Sequence, residues 1–161
     1  MNLVHGFLVS NTSHIFHDMR REHLDVLMTL SSEARYEEGS YIIRAGDDAT
    51  RFYLLYVGDV VIEFPGFDRP QSEVQTLTTG DVLGLSWILE PYEYLFSARA
   101  VDDVLVLGFD AKATRELMQK DFEFGFELLM RFTRSMAARL EATRVQMVAM
   151  AMDIHTSGQS K

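Results

Sequence analysis

The sequence predicts a mainly β domain, a sandwich or a barrel, with helices leading into it and a short and a long helix following it. Three observations carry this expectation. Short runs rich in β-branched and aromatic residues succeed one another from Glu33 to Phe109, the composition that fits a pleated, half-buried surface. Gly-Asp pairs punctuate them at Gly46-Asp47, Gly58-Asp59 and Gly80-Asp81, where glycine tolerates the positive φ of a tight hairpin. After Asp110 the apolar spacing changes to the three-and-four period of a helix.

Residues 1–31 read as a helical lead-in. Asp18 is placed to cap a helix from Met19 to Leu30, with Leu24, Leu27, Met28 and Leu30 on its buried side. Glu22 suits the positive end of that helix. Strands are expected at Glu33–Tyr36, Tyr41–Ile43, Phe52–Val57 and Val60–Phe64. Pro65 to Pro70 reads as a long polar hairpin tip, followed by a strand from Ser72 to Leu77.

The stretch Gly80 to Ala100 organises the rest. Val82-Leu83 reads as a short strand that Gly84 breaks, and Ser86 to Leu89 as one helical turn that Pro91 stops. An alternating strand from Tyr94 to Ala100 follows, with Tyr94, Phe96, Ala98 and Ala100 on one face and Leu95, Ser97 and Arg99 on the other. A short helix between two strands exposes its first backbone N–H groups, which suits a polar or anionic ligand. Asp103 to Phe109 completes the β region, residues 32–110.

Residues 111–153 are expected to be helical, as Ala111 to Lys120 and then a rod from Phe122 to about Met152. Roughly 30 residues span about 45 Å, more than a small barrel needs as a cover. Along it Thr133, Met136, Leu140, Thr143, Met147, Met150 and Ile154 alternate spacings of three and four, a heptad seam that predicts a homodimer. Residues 154–161 read as a flexible tail.

Composition narrows the function. The 161 residues carry a formal net charge of −9, which argues against DNA or another nucleic acid as partner. With no cysteine there is no disulfide and no thiolate zinc site. No signal peptide and no membrane span is expected, which suggests a cytoplasmic protein without membrane contact. Nothing predicts an enzyme: Ser86 lies in no complete nucleophile elbow, and Asp102-Asp103 reads as a turn. His14 and His17 are three apart, a spacing more typical of surface residues than of a metal site. Arg131, Arg134, Arg139 and Arg144 put four positive charges on one part of the long helix, where an anionic partner could dock, although exposed helical arginines more commonly pair with neighbouring acids.

The order of elements resembles the cyclic-nucleotide-binding domain of the catabolite-activator (Crp/Fnr) type. The resemblance rests on Glu38 to Asp47 (EGSYIIRAGD), Phe52 to Val60 (FYLLYVGDV), Gly80 to Gly84 (GDVLG) and Ser97 to Ala100 (SARA). It implies a double-stranded β-helix, a jelly-roll or cupin-like β-roll, with residues 80–100 holding the phosphate-binding cassette. The metal-dependent cupin variant needs histidines inside the roll, but His5, His14, His17 and His23 precede it and His155 follows it. The resemblance also implies that the long last helix pairs two subunits. The chain stops about ten residues after that helix, so a stand-alone sensory domain without a helix-turn-helix is expected.

The departures are informative. Where the family cassette has a glutamate for the ribose hydroxyl this chain has Leu85, and where it has an arginine for the cyclic phosphate it has Tyr94. Ordinary cAMP or cGMP binding is therefore not expected, because a buried phosphate without a cation costs several kcal/mol. Gly84, Leu85, Ser86, Trp87, Tyr94, Phe96 and Ser97 remain the candidate ligand contacts, for an atypical nucleotide or another small molecule stacked on the aromatic rings. The competing reading is that Trp87, Tyr92, Tyr94 and Phe96 simply fill the volume of a nucleotide.

Overall fold

The computed structural model describes residues 15–64 and 73–157. It divides into two units, Met1–Glu127 and Leu128–Lys161. The first holds helix α1 (Arg21–Met28), strands β1 (Ser31–Tyr36), β2 (Tyr41–Ile43), β3 (Arg51–Val57), β4 (Val60–Glu63), β5 (Glu73–Leu77) and β6 (Val82–Leu83). A single 3-10 turn (Leu85–Trp87), β7 (Ser97–Ala100), β8 (Val104–Asp110) and helix α2 (Ala111–Lys120) follow. Helix α3 (Phe122–Ser157) begins in the first unit and makes up the described part of the second.

Two four-stranded antiparallel sheets form the roll, in the orders β1-β8-β3-β6 and β2-β7-β4-β5. Register explains how the first sheet uses both faces. Phe52 lies opposite Phe109 and Leu54 opposite Leu107, so these four share one face. Tyr53 opposite Gly108 and Leu55 opposite Val106 share the other. The rings of Phe16, Phe52, Phe109 and Trp87 are fully buried and build an aromatic core, with Phe52 and Phe109 stacked at 4.8 Å. In the second sheet Val60 meets Ala100 and Ile62 meets Ala98, and both alanines are fully buried.

Helix α1 starts later than its sequence suggests. Asp18 turns the chain with φ 58 and caps nothing, and Arg20 stands at the N-cap without a side-chain cap. The Arg20 N–H instead donates to Glu127 Oε1 at 3.2 Å. His23 shares the buried face with Leu24 and Leu27. Its Nδ1 lies 2.5 Å from Glu127 Oε2, with Phe124 edge-on at 5.7 Å. The helix ends at Met28, and Ser31 already pairs with Phe109.

Asp110 closes β8 and caps α2, its Oδ1 accepting from the Ala113 N–H at 2.8 Å. Gly125 in α3 lies so near α2 that a Cβ would stand 2.8 Å from the Met118 carbonyl oxygen. Helix α3 continues past its expected end at Met152 to Ser157, so part of the expected tail is helical. Residues 158–161, the Pro65–Pro70 tip, His5 and His14 lie outside the described residues.

Candidate functional site: the cassette between β6 and β7

Strand β6 is anchored on β3, with Tyr53 opposite Leu83 and Leu54 opposite Val82. The chain then breaks at Gly84, whose φ is +85. A Cβ there would stand 3.1 Å from the Arg51 carbonyl oxygen and 3.3 Å from the Tyr94 ring, so close approach and left-handed backbone both require glycine. The turn after it spans Leu85–Trp87, one residue earlier than the sequence suggests, and leaves Leu85 and Ser86 half-buried.

Trp87 is fully buried and stacks on Phe52 at 4.4 Å with an interplanar angle of 23°. Its carbonyl oxygen accepts from Arg115 Nη1 at 2.6 Å. The same guanidinium lies 3.9 Å from the centroid of the Tyr92 ring. One cation on α2 thus holds the cassette at two points, through a charge-assisted hydrogen bond and a cation–π contact. Sequence reasoning missed Arg115, since only the tertiary fold brings it to residue 87.

Tyr94 is buried, and its hydroxyl donates to the Arg51 carbonyl at 2.6 Å. The Arg51 N–H lies 3.4 Å from that hydroxyl oxygen. Burial is the main cause that pushes the phenol above its ordinary value, against the backbone hydrogen bond. The strand expected from Tyr94 begins only at Ser97. The backbone of Tyr94 is spent on the Gly46-Asp47 turn instead: its N–H donates to Asp47 O at 2.9 Å and its carbonyl accepts from Gly46 N–H at 2.8 Å.

The remaining cassette residues divide between the two sides of the chain. Phe96 is half-buried and packs edge-on against Phe64 at 5.6 Å, and Phe64 itself is 46% exposed. Ser97 Oγ accepts from the Ala45 N–H at 3.0 Å. Arg99 lies on the face opposite Ala98 and Ala100, where its Nε donates to Glu63 Oε1 at 2.6 Å. The Tyr41 hydroxyl donates to the other oxygen of Glu63 at 2.9 Å. Arg99 is therefore committed outward, as the alternation of β7 requires.

In the second unit Met136 is half-buried, whereas Leu140, Thr143, Met147 and Met150 are exposed, Leu140 by 52%. Among the described residues no helix is long and apolar enough to cross a membrane. No three His, Asp or Glu side chains among them gather as a metal site.

Comparison with known proteins agrees with this architecture. A model of the cyclic nucleotide-binding domain matches residues 33–121, more than half of the chain. Among solved structures, the chain is similar to a candidate cyclic nucleotide-binding protein of Geobacter metallireducens GS-15, at 26% identity, covering 87% of this chain and 99% of that one with a TM-score of 0.74. A cyclic nucleotide-binding domain of Methylobacillus flagellatus KT shares the fold at 16% identity, 89% and 80% coverage and a TM-score of 0.74. So does the sensor domain of the transcriptional regulator DNR of Pseudomonas aeruginosa, at 22% identity, 86% and 92% coverage and a TM-score of 0.66. No curated protein matches the chain. The matched segment contains the whole cassette and all of both sheets but the first two residues of β1, and the chain belongs to the cyclic nucleotide-binding domain family, with the jelly-roll fold of Crp/Fnr-type regulators.

Proposed function

We propose that this chain is a regulatory module that does not hold cAMP or cGMP in the family's usual way and acts through protein–protein contacts. The observation that carries the reading is the Tyr94 hydroxyl, which donates to the Arg51 backbone at 2.6 Å. At the position where the resemblance places the phosphate-binding arginine stands a buried, neutral phenol whose hydrogen is already used. Leu85, at the position of the ribose-binding glutamate, has no acceptor to offer. Loss of a charge-assisted contact is worth about 1.5–3 kcal/mol, before the cost of an unneutralised phosphate. Calorimetry with cAMP and with cGMP tests this: weak or no binding is expected, and low-micromolar binding of either would overturn it.

The contacts we propose are made first with a second copy of this chain, along the three-and-four repeat of α3. The support is that Leu140, Met147 and Met150 repeat at that spacing and are exposed. The module is read as cytoplasmic and as a binding rather than a catalytic unit.

A second reading, a sensor of an atypical nucleotide or another small molecule, is favoured by one observation. Phe64 and Phe96 form an edge-on aromatic pair that is only partly covered. Mass spectrometry of small molecules that co-purify with the native protein distinguishes this reading from the first.

A further inference from the structure

We propose that Arg51, with the hydroxyls of Ser32, Tyr36 and Tyr53, forms a binding site for the carboxylate or phosphate group of a small anionic ligand. It deepens the sensor reading and rests on the cassette lacking a cation of its own.

Register brings these groups to one face. Ser32 lies opposite Gly108, and Gly108 lies opposite Tyr53, so three strands contribute to one row. Two-residue alternation adds Tyr36 on β1 and Arg51 on β3 to the same face. Gly108 lets its neighbours pack directly over the centre of the row. A Cβ there would stand 3.0 Å from the Tyr53 ring and 3.3 Å from Arg51 Nη1, so ring and guanidinium close over the same spot.

The charge at this spot is unanswered from within. Arg51 Nη1 donates to Ser32 Oγ at 2.8 Å, a neutral acceptor. Among the described residues Arg51 makes no ion pair, whereas Arg20, Arg35 and Arg99 each meet a carboxylate. Asp110 lies opposite Arg51 in the register but makes no ion pair with it, its Oδ1 accepting instead from the Ala113 N–H at 2.8 Å. The guanidinium has five N–H donors in a planar fork that matches a carboxylate or a phosphate.

The phenols supply neutral donors beside it. Burial above all, then the neighbouring Tyr36 hydroxyl, pushes the Tyr53 phenol up, so it keeps its hydrogen at neutral pH. Tyr94 contributes by position: its hydrogen bond to the Arg51 carbonyl fixes the backbone from which the guanidinium projects. Each of these contacts joins residues distant in sequence, so none is visible as a motif.

The test uses the full chain with phenyl phosphate and benzoate as probes, one for each oxyanion. Binding is read from the Arg51 side-chain Nε–H signal in a heteronuclear NMR titration and from the fluorescence of Trp87. A saturable shift of the Arg51 signal is expected with at least one probe, and the stronger probe identifies the oxyanion. Arg51→Gln should weaken that probe by about tenfold or more. Arg51→Lys, which keeps the charge but loses the fork, should weaken it by a smaller factor and serves if the Gln variant fails to fold. No shift of the Arg51 signal at millimolar probe, or Arg51→Gln binding as tightly as the wild type, overturns the site. A parallel cAMP titration separates the two ideas: probe-free and cAMP-free behaviour defeats this site alone, whereas tight cAMP binding indifferent to Arg51→Gln defeats the proposed function as well.

Discussion

Replacing Trp87 with alanine separates a packed cassette from a ligand-lined one. The indole is fully buried against Phe52 at 4.4 Å, and Phe52 is in turn stacked on Phe109 at 4.8 Å. Truncating a buried tryptophan removes its transfer free energy and leaves a cavity, together about 3–5 kcal/mol. The offset-stacked pair accounts for about 0.5–1.5 kcal/mol of this. Against a total stability of about 5–15 kcal/mol the loss is large, and it should lower Tm by roughly 10 °C. Urea unfolding followed by far-ultraviolet circular dichroism measures it without the missing fluorophore. Trp87→Phe keeps a ring in the stack and should recover more than half of the loss. A change below about 1 kcal/mol for the alanine variant would refute the packing argument. It would leave ligand contact as the explanation of the ring.

Three further outcomes are expected. Leu140→Asp places a charge in the proposed seam of α3 and should give a monomer where the wild type sediments as a dimer; a monomeric wild type at high micromolar concentration refutes the pairing. Gly58→Ala forces a side chain onto φ +89 and a Cβ to 2.7 Å from the Asp103 carbonyl oxygen, so it should cost at least ~2 kcal/mol in urea unfolding. Burial raises the phenols of Tyr53 and Tyr94 in the folded state, so their contribution is complete below the unfolded tyrosine value of about pH 10 and is lost as pH rises beyond it. The urea midpoint should therefore fall between about pH 9 and pH 11, and less steeply in Tyr53→Phe; a midpoint that rises over this range refutes the assignment.

The roll was legible because its signals are local. The Gly-Asp pairs mark turns whose glycines have positive φ at residues 46, 58 and 80, and β3 and β8 are continuous runs of β-branched, aromatic and other apolar residues buried on both faces. The cassette was legible in outline for the same reason, through Gly84 and the short strand before it. What escaped is set by partners far along the chain. Alternation alone extends β7 back to Tyr94, but the backbone there bonds a turn near residue 46, which no periodicity reveals. Asp18 has the composition of a cap, yet the helix begins beyond it because Glu127 holds the Arg20 N–H. His23 was not read as a core position, and the acid it meets there lies 104 residues away.

The bond from Tyr94 to Arg51 has a consequence for which residues position 94 can accept. An arginine at residue 94 would put a cation where a ring lies buried, and would remove the donor that the Arg51 carbonyl uses. Gly84 sharpens the obstacle, since its missing side chain is shaped around the Tyr94 ring. An arginine at residue 94 is thus expected to destabilise the fold whatever it does for a ligand. The Tyr94 hydroxyl is thus a brace between the cassette and β3, and any replacement at residue 94 has to supply another donor to the Arg51 carbonyl.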